Sequence, residues 1–270
     1  MPIHQTAFSN MVKRIVIHAG FHKTGTTTIQ NTLRQNKQLL RPDISVVLRD
    51  GMLGLCEAAR AYSVSKSALD LGMVQFETAE TLQEFTEFSG TLLLSSEDLS
   101  GHMPGRRGLK SYAAAPKILN AIYNAAAGVF SGVDVSFFFG TRAAKPWLNS
   151  CYAQHLQATR ITQSAQDYSM SYKGSAQLNT VVDATRNAVP HAFVLSSELG
   201  DCSSLRLGPL DPLLDHLEVP QSTKDQFEIL PPANTAPPQA KMDKLLALNR
   251  SDLSDTDLKL AKRALNQQVF

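Results

Sequence analysis

Residues 20–28, with the sequence GFHKTGTTT, constrain the possible fold of this chain more than any other stretch. They follow the apolar run 15–17 and precede a segment with helical spacing, which gives the order strand, turn, helix. Gly25 permits a tight turn, and the backbone amides of residues 24–28 then converge at a helix N-terminus, where the helix dipole favours an anion. The stretch predicts a phosphate-binding loop, to which Lys23 adds a mobile positive charge and the threonines add hydroxyl donors.

The loop departs at one position from the nucleoside triphosphatase pattern G-x-x-x-x-G-K-[ST]. Gly20 and Gly25 fit the two glycines, but Thr26 stands where that pattern has its lysine. The lysine of this chain, Lys23, comes before the second glycine instead. The alternative interpretation is a polar strand-to-helix turn that binds nothing.

Short apolar runs and helical spacing alternate along the chain. The runs predict five strands, at 14–18, 44–48, 91–95, 133–139 and 192–196. Helical spacing covers 26–40, 114–127, 146–159 and 175–189. This alternation predicts a P-loop-type three-layer α/β/α fold with a mainly parallel central sheet, whose ligands lie beyond the carboxyl ends of the strands.

The organisation along the chain indicates a single domain over residues 1–270. Residues 13–200 are expected to form the core sheet and its helices. The proline-rich segment 209–238 is expected to wrap irregularly over the surface, with a short helix at 213–217. A helical C-terminal segment, 239–270, is expected to contain helices at 239–248 and 254–266.

Composition excludes several classes of protein. A formal charge of +2 is too small to indicate nucleic acid or an anionic membrane as a partner. The three cysteines are widely spaced, without a CxxC pair or a histidine cluster at metal-ligand spacing, so we expect a reduced setting and no metal. No run reaches the roughly 18 apolar residues of a membrane helix, and the N-terminus lacks the apolar core of a signal peptide. The sequence predicts a cytoplasmic protein without membrane insertion.

A second candidate phosphate site follows the fourth predicted strand. Arg142 stands at the strand end, and Ser150 lies eight residues later on the next helix. A guanidinium fork and a hydroxyl in that arrangement can meet at one phosphate. The alternative for Arg142 is a surface ion pair, and for Trp147 and Tyr152 it is packing of the helix against the sheet.

Two carboxylates, Glu97 and Asp98, follow the third predicted strand. A carboxylate within hydrogen-bond reach of a hydroxyl can accept its proton, and Glu97 is our candidate for this base. His102 is the reserve base. Two alternatives stay open: either carboxylate could hold Mg²⁺ as in a phosphate-loop kinase, or Asp98 could cap a turn while Glu97 pairs with a lysine.

The loop resembles that of sulfotransferases that use 3′-phosphoadenosine 5′-phosphosulfate (PAPS). The string 22–27, His-Lys-Thr-Gly-Thr-Thr, is similar to the 5′-phosphosulfate loop of that family. The segment with Arg142 and Ser150 resembles its 3′-phosphate site and also carries Trp147, Tyr152 and Gln154 on the family pattern. The likeness is strongest at 14–34 and 138–156 and weaker at 93–98.

The resemblance implies a sulfotransferase that moves the sulfuryl group of PAPS to a hydroxyl of a small molecule or carbohydrate, for example a glycan or glycolipid. Lys23 and Glu97 are then the catalytic residues, no metal is expected, and adenosine 3′,5′-bisphosphate (PAP) is the product. His22 is expected to shape the loop rather than transfer protons. The donor-binding residues implied by the family are His22, Lys23, Thr24, Gly25, Thr26, Thr27, Thr28, Arg142 and Ser150.

The chain departs from the family at several points. Ala143 and Ala144 stand where the family has a second Arg or an Asp/Asn-Pro, and no aromatic follows the loop threonines, so the residue that stacks on adenine is unassigned. Residues 193–199 resemble a late strand ending in Ser-Glu, and 233–235 resemble an Asn-x-Ser segment. We expect 51–75 and 159–172 to be variable loops that line the acceptor pocket. A phosphate-loop kinase, and a nucleotide-binding protein without sulfotransferase activity, are the alternatives.

Overall fold

The computed structural model describes residues 12–230 and 237–267 of the chain. These residues form one five-stranded sheet in the order β2-β3-β1-β4-β5, and every strand pair is parallel. The strands are β1 Arg14–His18, β2 Ile44–Leu48, β3 Thr91–Ser95, β4 Asp134–Thr141 and β5 Phe193–Glu198. The predicted α/β architecture with a parallel sheet is confirmed.

The position of β1 determines where the site forms. β1 lies between β3 and β4, and the register pairs its last residue, His18, with Ser95 on one side and Phe138 on the other. The chain thus leaves β1 towards one half of the sheet and later returns to build the other half. A parallel sheet binds ligands at such a switch point, beyond the carboxyl ends of the strands.

Helices cover both faces of this sheet. They are α1 Thr26–Asn36, α2 Leu53–Ser65, α3 Ala68–Gln83, α4 Ala115–Val129, α5 Ala144–Ala158, α6 Ala165–Tyr172, α7 Leu178–Ala188, α8 Asp211–His216, α9 Gln221–Lys224, α10 Gln239–Arg250 and α11 Asp255–Asn266. No helix in these two described ranges is both long and apolar enough to cross a membrane.

Alternate residues of β1 enter two separate cores. Ile15 and Ile17 pack in the larger core, which also contains residues of α2 to α5, whereas Val16 points to the other face and packs in the smaller core with Ile29 and Leu33 of α1. A strand buried on both faces needs apolar residues at successive positions. This explains why the predicted strands lack clean polar alternation.

Two of the expected loops are wrong, because 51–75 and 159–172 contain helices. Helices α2 and α3 occupy most of the first segment, and α6 begins at Ala165 in the second. The helix α3 exposes Leu69 and Phe76, which are 77% and 55% accessible. These exposed apolar residues obscure the one-sided spacing by which an amphipathic helix is recognised in a sequence.

The segment predicted to wrap the surface contributes to the smaller core instead of lying over it. Its leucines Leu210, Leu213 and Leu214 are fully buried beside Val16 and Leu33. The short helix there is Asp211–His216, close to the predicted one. Residues 233–235 lie outside the described part of the chain.

Candidate functional site

A cavity of about 780 Å³ opens at the carboxyl ends of the strands. It lies against the loop after β1, the turn after β3, the end of β4 and the segment that follows β5. The predicted site residues that line it are His22, Lys23, Gly25, Thr26, Thr27, Thr28, Glu97, Arg142 and Ser150. Thr24 and His102 are the predicted residues that do not line it.

The backbone conformation of the loop after β1 leads the chain directly into the N-terminus of α1. Lys23 has φ 69° and Gly25 has φ 93°, so both adopt the left-handed conformation. A Cβ at Gly25 would also approach Leu199 and Pro209 to 3.0 Å, which is a second reason for glycine at this position. The first turn of α1 begins at Thr26 without an acidic residue or a side-chain cap. The positive end of the helix dipole therefore meets the cavity uncompensated by a side chain.

Two of the loop threonines use their hydroxyls inside the loop. Thr24 Oγ1 donates to the carbonyl of Phe21 at 2.6 Å, and Thr26 Oγ1 donates to the same carbonyl at 3.2 Å. Thr24 and Thr26 are buried, whereas Thr27 is exposed and Thr28 half-buried. The hydroxyls available to a ligand at the cavity are therefore those of Thr27 and Thr28.

Three side chains from other elements hold the loop in place. The Tyr112 hydroxyl accepts from the backbone N–H of His22 at 3.1 Å, and Trp147 Nε1 donates to the His22 carbonyl at 2.9 Å. Arg142 Nη1 donates to the Lys23 carbonyl at 3.1 Å. Trp147 is buried in the larger core, as expected for a residue that packs α5 against the sheet. The loop is thus fixed by Tyr112, which precedes α4, and by two residues that follow β4.

Lys23 lies half-buried between the predicted sites. Its Nζ donates to Gln154 Oε1 of α5 at 3.3 Å. Burial lowers the pKa of Lys23, and the nearby guanidinium groups of Arg142 and Arg106 lower it further, while Glu97 opposes the shift. An anion bound beside this ammonium would offset the cost of keeping the charge there.

The two carboxylates after β3 have different roles. Asp98 accepts hydrogen bonds from Arg49 Nε at 2.9 Å and Arg60 Nη1 at 3.1 Å, and its other oxygen lies 3.7 Å from His22 Nε2. Burial opposes ionisation of Asp98, but the adjacent His22 and the hydrogen bond from Arg49 outweigh it and hold the pKa of Asp98 at about 2. Asp98 is a fixed anion engaged with protein partners. The cap of this turn is Ser96, whose Oγ accepts from the Asp98 N–H.

Glu97 is the cavity carboxylate that no cation engages among the described residues. It lies half-buried at the start of the 3-10 turn Glu97–Ser100, and its Oε2 accepts from Gln30 Nε2 of α1 at 2.9 Å. Its other oxygen, Oε1, has no hydrogen-bond partner among the described residues. Gln30 therefore orients the carboxylate and leaves one oxygen free to accept a proton or bind a ligand. No lysine pairs with Glu97 within the described ranges.

His102 lies beside the cluster but not in the cavity wall. Its backbone N–H donates to Ser63 Oγ at 3.1 Å, and its buried Nδ1 has no partner in the described chain. Burial lowers its pKa, and the charge of Arg60 lowers it further. The structure thus brings Glu97, and not the reserve base, to the loop.

The end of β4 carries the second candidate site. Arg142 and Ser150 line the cavity, and burial lowers the pKa of Arg142. The backbone N–H of Ala143 donates to Glu198 Oε1 at 3.2 Å, so a carboxylate at the end of β5 caps the start of α5. This contact supports the turn at Ala143 and Ala144, where the sequence lacks the polar residues of the sulfotransferase pattern.

Sequence reasoning missed two features of the cavity. The first is its charge: six cationic side chains and two carboxylates give a surplus of four positive charges, against +2 for the whole chain. The missed cations are Arg49, Arg60, Arg106 and Arg206. The second is an apolar wall, formed by Leu199, Leu205, Leu207, Pro209, Ile229 and Leu230. The cavity therefore combines strong positive charge with an apolar side.

A buried histidine beneath the loop makes stability depend on pH. His18 is fully buried, its Nδ1 is hydrogen-bonded with Ser95 Oγ at 2.7 Å, and its Nε2 has no partner among the described residues. Burial lowers the pKa of His18 from 6.5 to about 4. The His18 imidazole therefore takes up a proton more readily in the unfolded chain than in the folded one. The contribution of neutral His18 to the unfolding free energy is present above pH 6.5 and is lost as the pH falls towards 4.

We predict that His18 alone removes about 2 kcal/mol of unfolding free energy between pH 7 and pH 5. Urea denaturation at pH 7, 6 and 5 measures this, and His18→Gln, which cannot take up the proton, should flatten the profile by about that amount. His191→Gln changes an exposed histidine and should leave the profile unchanged. A profile of His18→Gln as steep as the wild type would contradict the assignment.

Comparison with known proteins gives the chain no family. No family model matches it, and no curated protein matches it significantly.

Proposed function

We propose that this chain is a sulfotransferase that moves the sulfuryl group of PAPS to a hydroxyl acceptor. One observation carries the proposal: the loop after β1, the pair Arg142 and Ser150, and Glu97 all line a single cavity. The resemblance of the two phosphate motifs suggested each site separately. Their meeting at one switch point of the sheet is what a donor with phosphates at both ends of its ribose requires.

The residues of the cavity suit the chemistry of this donor. The N-terminus of α1, Lys23 and the hydroxyls of Thr27 and Thr28 would hold the 5′-phosphosulfate. Arg142 and Ser150 would hold the 3′-phosphate. The apolar wall around Leu199 offers a surface against which the adenine ring of the donor can pack. The positive surplus matches a ligand that carries several negative charges.

The reaction transfers one group between two oxygens. The acceptor oxygen forms a bond to sulfur while the bond from sulfur to the bridging phosphate oxygen breaks, and PAP leaves. The proton of the acceptor hydroxyl passes to Glu97, whose Oε1 is free and whose orientation Gln30 fixes. Lys23 stabilises the negative charge that grows on the bridging oxygen. Most of the rate then comes from positioning and from preorganised charge.

Two features favour this reaction over that of a phosphate-loop kinase. The lysine of the triphosphatase pattern is replaced by Thr26, whose hydroxyl closes the loop. Asp98, one of the two candidate metal partners, is already engaged by Arg49 and Arg60. The capped turn at Ala143 also weakens the argument that the 3′-phosphate site has degenerated in a non-catalytic protein.

Titration calorimetry with PAP, 5′-AMP and ATP with Mg²⁺ tests the donor site. We expect PAP to bind most tightly, and Arg142→Ala to weaken PAP about 10- to 100-fold, because a charged hydrogen bond is worth about 1.5–3 kcal/mol. The same variant should weaken 5′-AMP much less, which separates loss of the 3′-phosphate contact from damage to the loop that Arg142 also contacts. Arg263→Ala, on α11 and away from the cavity, is the control. Equal affinity for PAP and 5′-AMP, or preference for ATP with Mg²⁺, would sink the proposal.

A further inference from the structure

Three arginines that line the cavity have no part in the proposed donor site. Arg49 directly follows β2, Arg60 lies on α2, and Arg106 belongs to the loop between β3 and α4. All three line the cavity. Arg49 and Arg60 approach from the β2 side of the sheet, whereas the loop of Arg106 packs against α5, where a Cβ on Gly105 would meet His155. We call the three the acceptor-side arginines, because none of them is assigned to the donor.

One of the acceptor-side arginines, Arg106, is not neutralised by the protein. Arg49 and Arg60 share the carboxylate of Asp98, and Arg60 also lies 3.7 Å from the exposed carboxylate of Glu57. The side chain of Arg106 has no hydrogen bond or ion pair within the described residues. Arg49 and Arg60 therefore have carboxylate partners, and Arg106 is the member of the three without a counter-charge among the described residues.

Arg106 is part of the site, not a solvated surface charge. It is half-buried, and its charge lowers the pKa of Lys23, of His102 and of His155 on α5, so Arg106 lies near the loop and near α5. A half-buried guanidinium without a counter-charge is an expensive arrangement for folding alone. Its neighbour Arg107 is exposed and does not line the cavity.

The position of Glu97 connects this cluster to the reacting hydroxyl. Glu97 is the chain neighbour of Asp98, and Asp98 directly holds Arg49 and Arg60. A hydroxyl within reach of Glu97 therefore brings the rest of its molecule beside the acceptor-side arginines. The guanidinium fork matches carboxylate and sulfate groups with paired hydrogen bonds.

We infer that the acceptor carries an anionic group, a carboxylate or a sulfate, close to its reacting hydroxyl, and that Arg106 binds this group with help from Arg49 and Arg60. An anionic carbohydrate fits this description and a neutral one does not. The inference rests on the proposed function for the role of the hydroxyl. The anion site itself depends only on the arginines.

Calorimetry of the protein saturated with PAP tests the inference with three small probes: glucuronate, glucose 6-sulfate and glucose. We expect at least one anionic sugar to bind at least tenfold more tightly than glucose. Comparison of glucuronate with glucose 6-sulfate then shows whether the site prefers a carboxylate or a sulfate. Arg106→Gln should reduce that ratio below threefold. Arg107→Gln removes the same charge from the same loop and should leave the ratio intact, and Arg106→Lys should retain part of it.

The outcomes separate this inference from the proposed function. If PAP binds but neither anionic sugar exceeds glucose by threefold, or if Arg106→Gln leaves the ratio unchanged, the anionic acceptor is overturned and the donor site stands. If PAP does not bind but an anionic sugar binds in an Arg106-dependent way, the anion site stands and the donor assignment fails.

Discussion

Replacing Lys23 with methionine is expected to lower the rate of sulfuryl transfer about 100- to 1,000-fold, which is the usual effect of removing one preorganised donor to developing charge. Methionine keeps an unbranched side chain of similar length and removes the ammonium that reaches Gln154. Because the charge on the bridging oxygen is greatest in the transition state, kcat should fall more than the affinity for PAP. Steady-state measurement of PAP release, with calorimetry of PAP on the same variant, gives both quantities.

The control for Lys23 is an exposed lysine nearby. Lys145 lies in the first turn of α5 and does not line the cavity, so Lys145→Met should leave both quantities within about twofold. Turnover that survives Lys23→Met would remove the loop from the mechanism. If kcat and the affinity for PAP fall by the same factor, Lys23 binds the donor but does not stabilise the transition state further.

Replacing Glu97 with glutamine is expected to lower kcat about 100- to 10,000-fold, the range for a general base. Glutamine keeps the shape of the side chain and an oxygen that Gln30 can approach, but it cannot accept a proton. PAP affinity should stay within about threefold, because the carboxylate serves the acceptor and not the donor.

Glu87→Gln provides the matched control, since it makes the same substitution at an exposed position outside the cavity. It should retain wild-type kcat. A Glu97→Gln variant with wild-type kcat would show that Glu97 is not the base. If Glu97→Gln is inactive and the wild-type protein binds ATP in a Mg²⁺-dependent way, the phosphate-loop kinase is favoured instead.

Local patterns in the sequence were sufficient to predict the strands of the sheet and the turn after β1. The three central strands, β1, β3 and β4, were recognisable because both of their faces are buried, so their residues are apolar at successive positions. The edge strands β2 and β5 are more exposed and were recognised from shorter apolar runs. Gly25 was recognisable because its left-handed φ excludes most side chains. Both signals are local, and they survive in a single sequence.

The missed features depend on tertiary packing. Arg60 and Arg106 come from a helix and a loop whose approach to the cavity no local pattern encodes. The apolar wall around Leu199 is dispersed over segments that read as irregular chain. Among the missed cations, Arg49 could have been predicted from the sequence, because it directly follows a strand whose carboxyl end lies at the ligand-binding edge of the sheet.

The most direct measurement of the central claim is mass spectrometry of acceptors after incubation of the purified protein with PAPS, and in parallel with ATP and Mg²⁺. The acceptor panel should contain neutral and anionic carbohydrates. We predict a sulfuryl group on an acceptor and equimolar PAP in the PAPS reaction, and no phosphoryl transfer from ATP. A phosphorylated acceptor from ATP, or tight PAP binding with no transfer to any acceptor, would contradict the account.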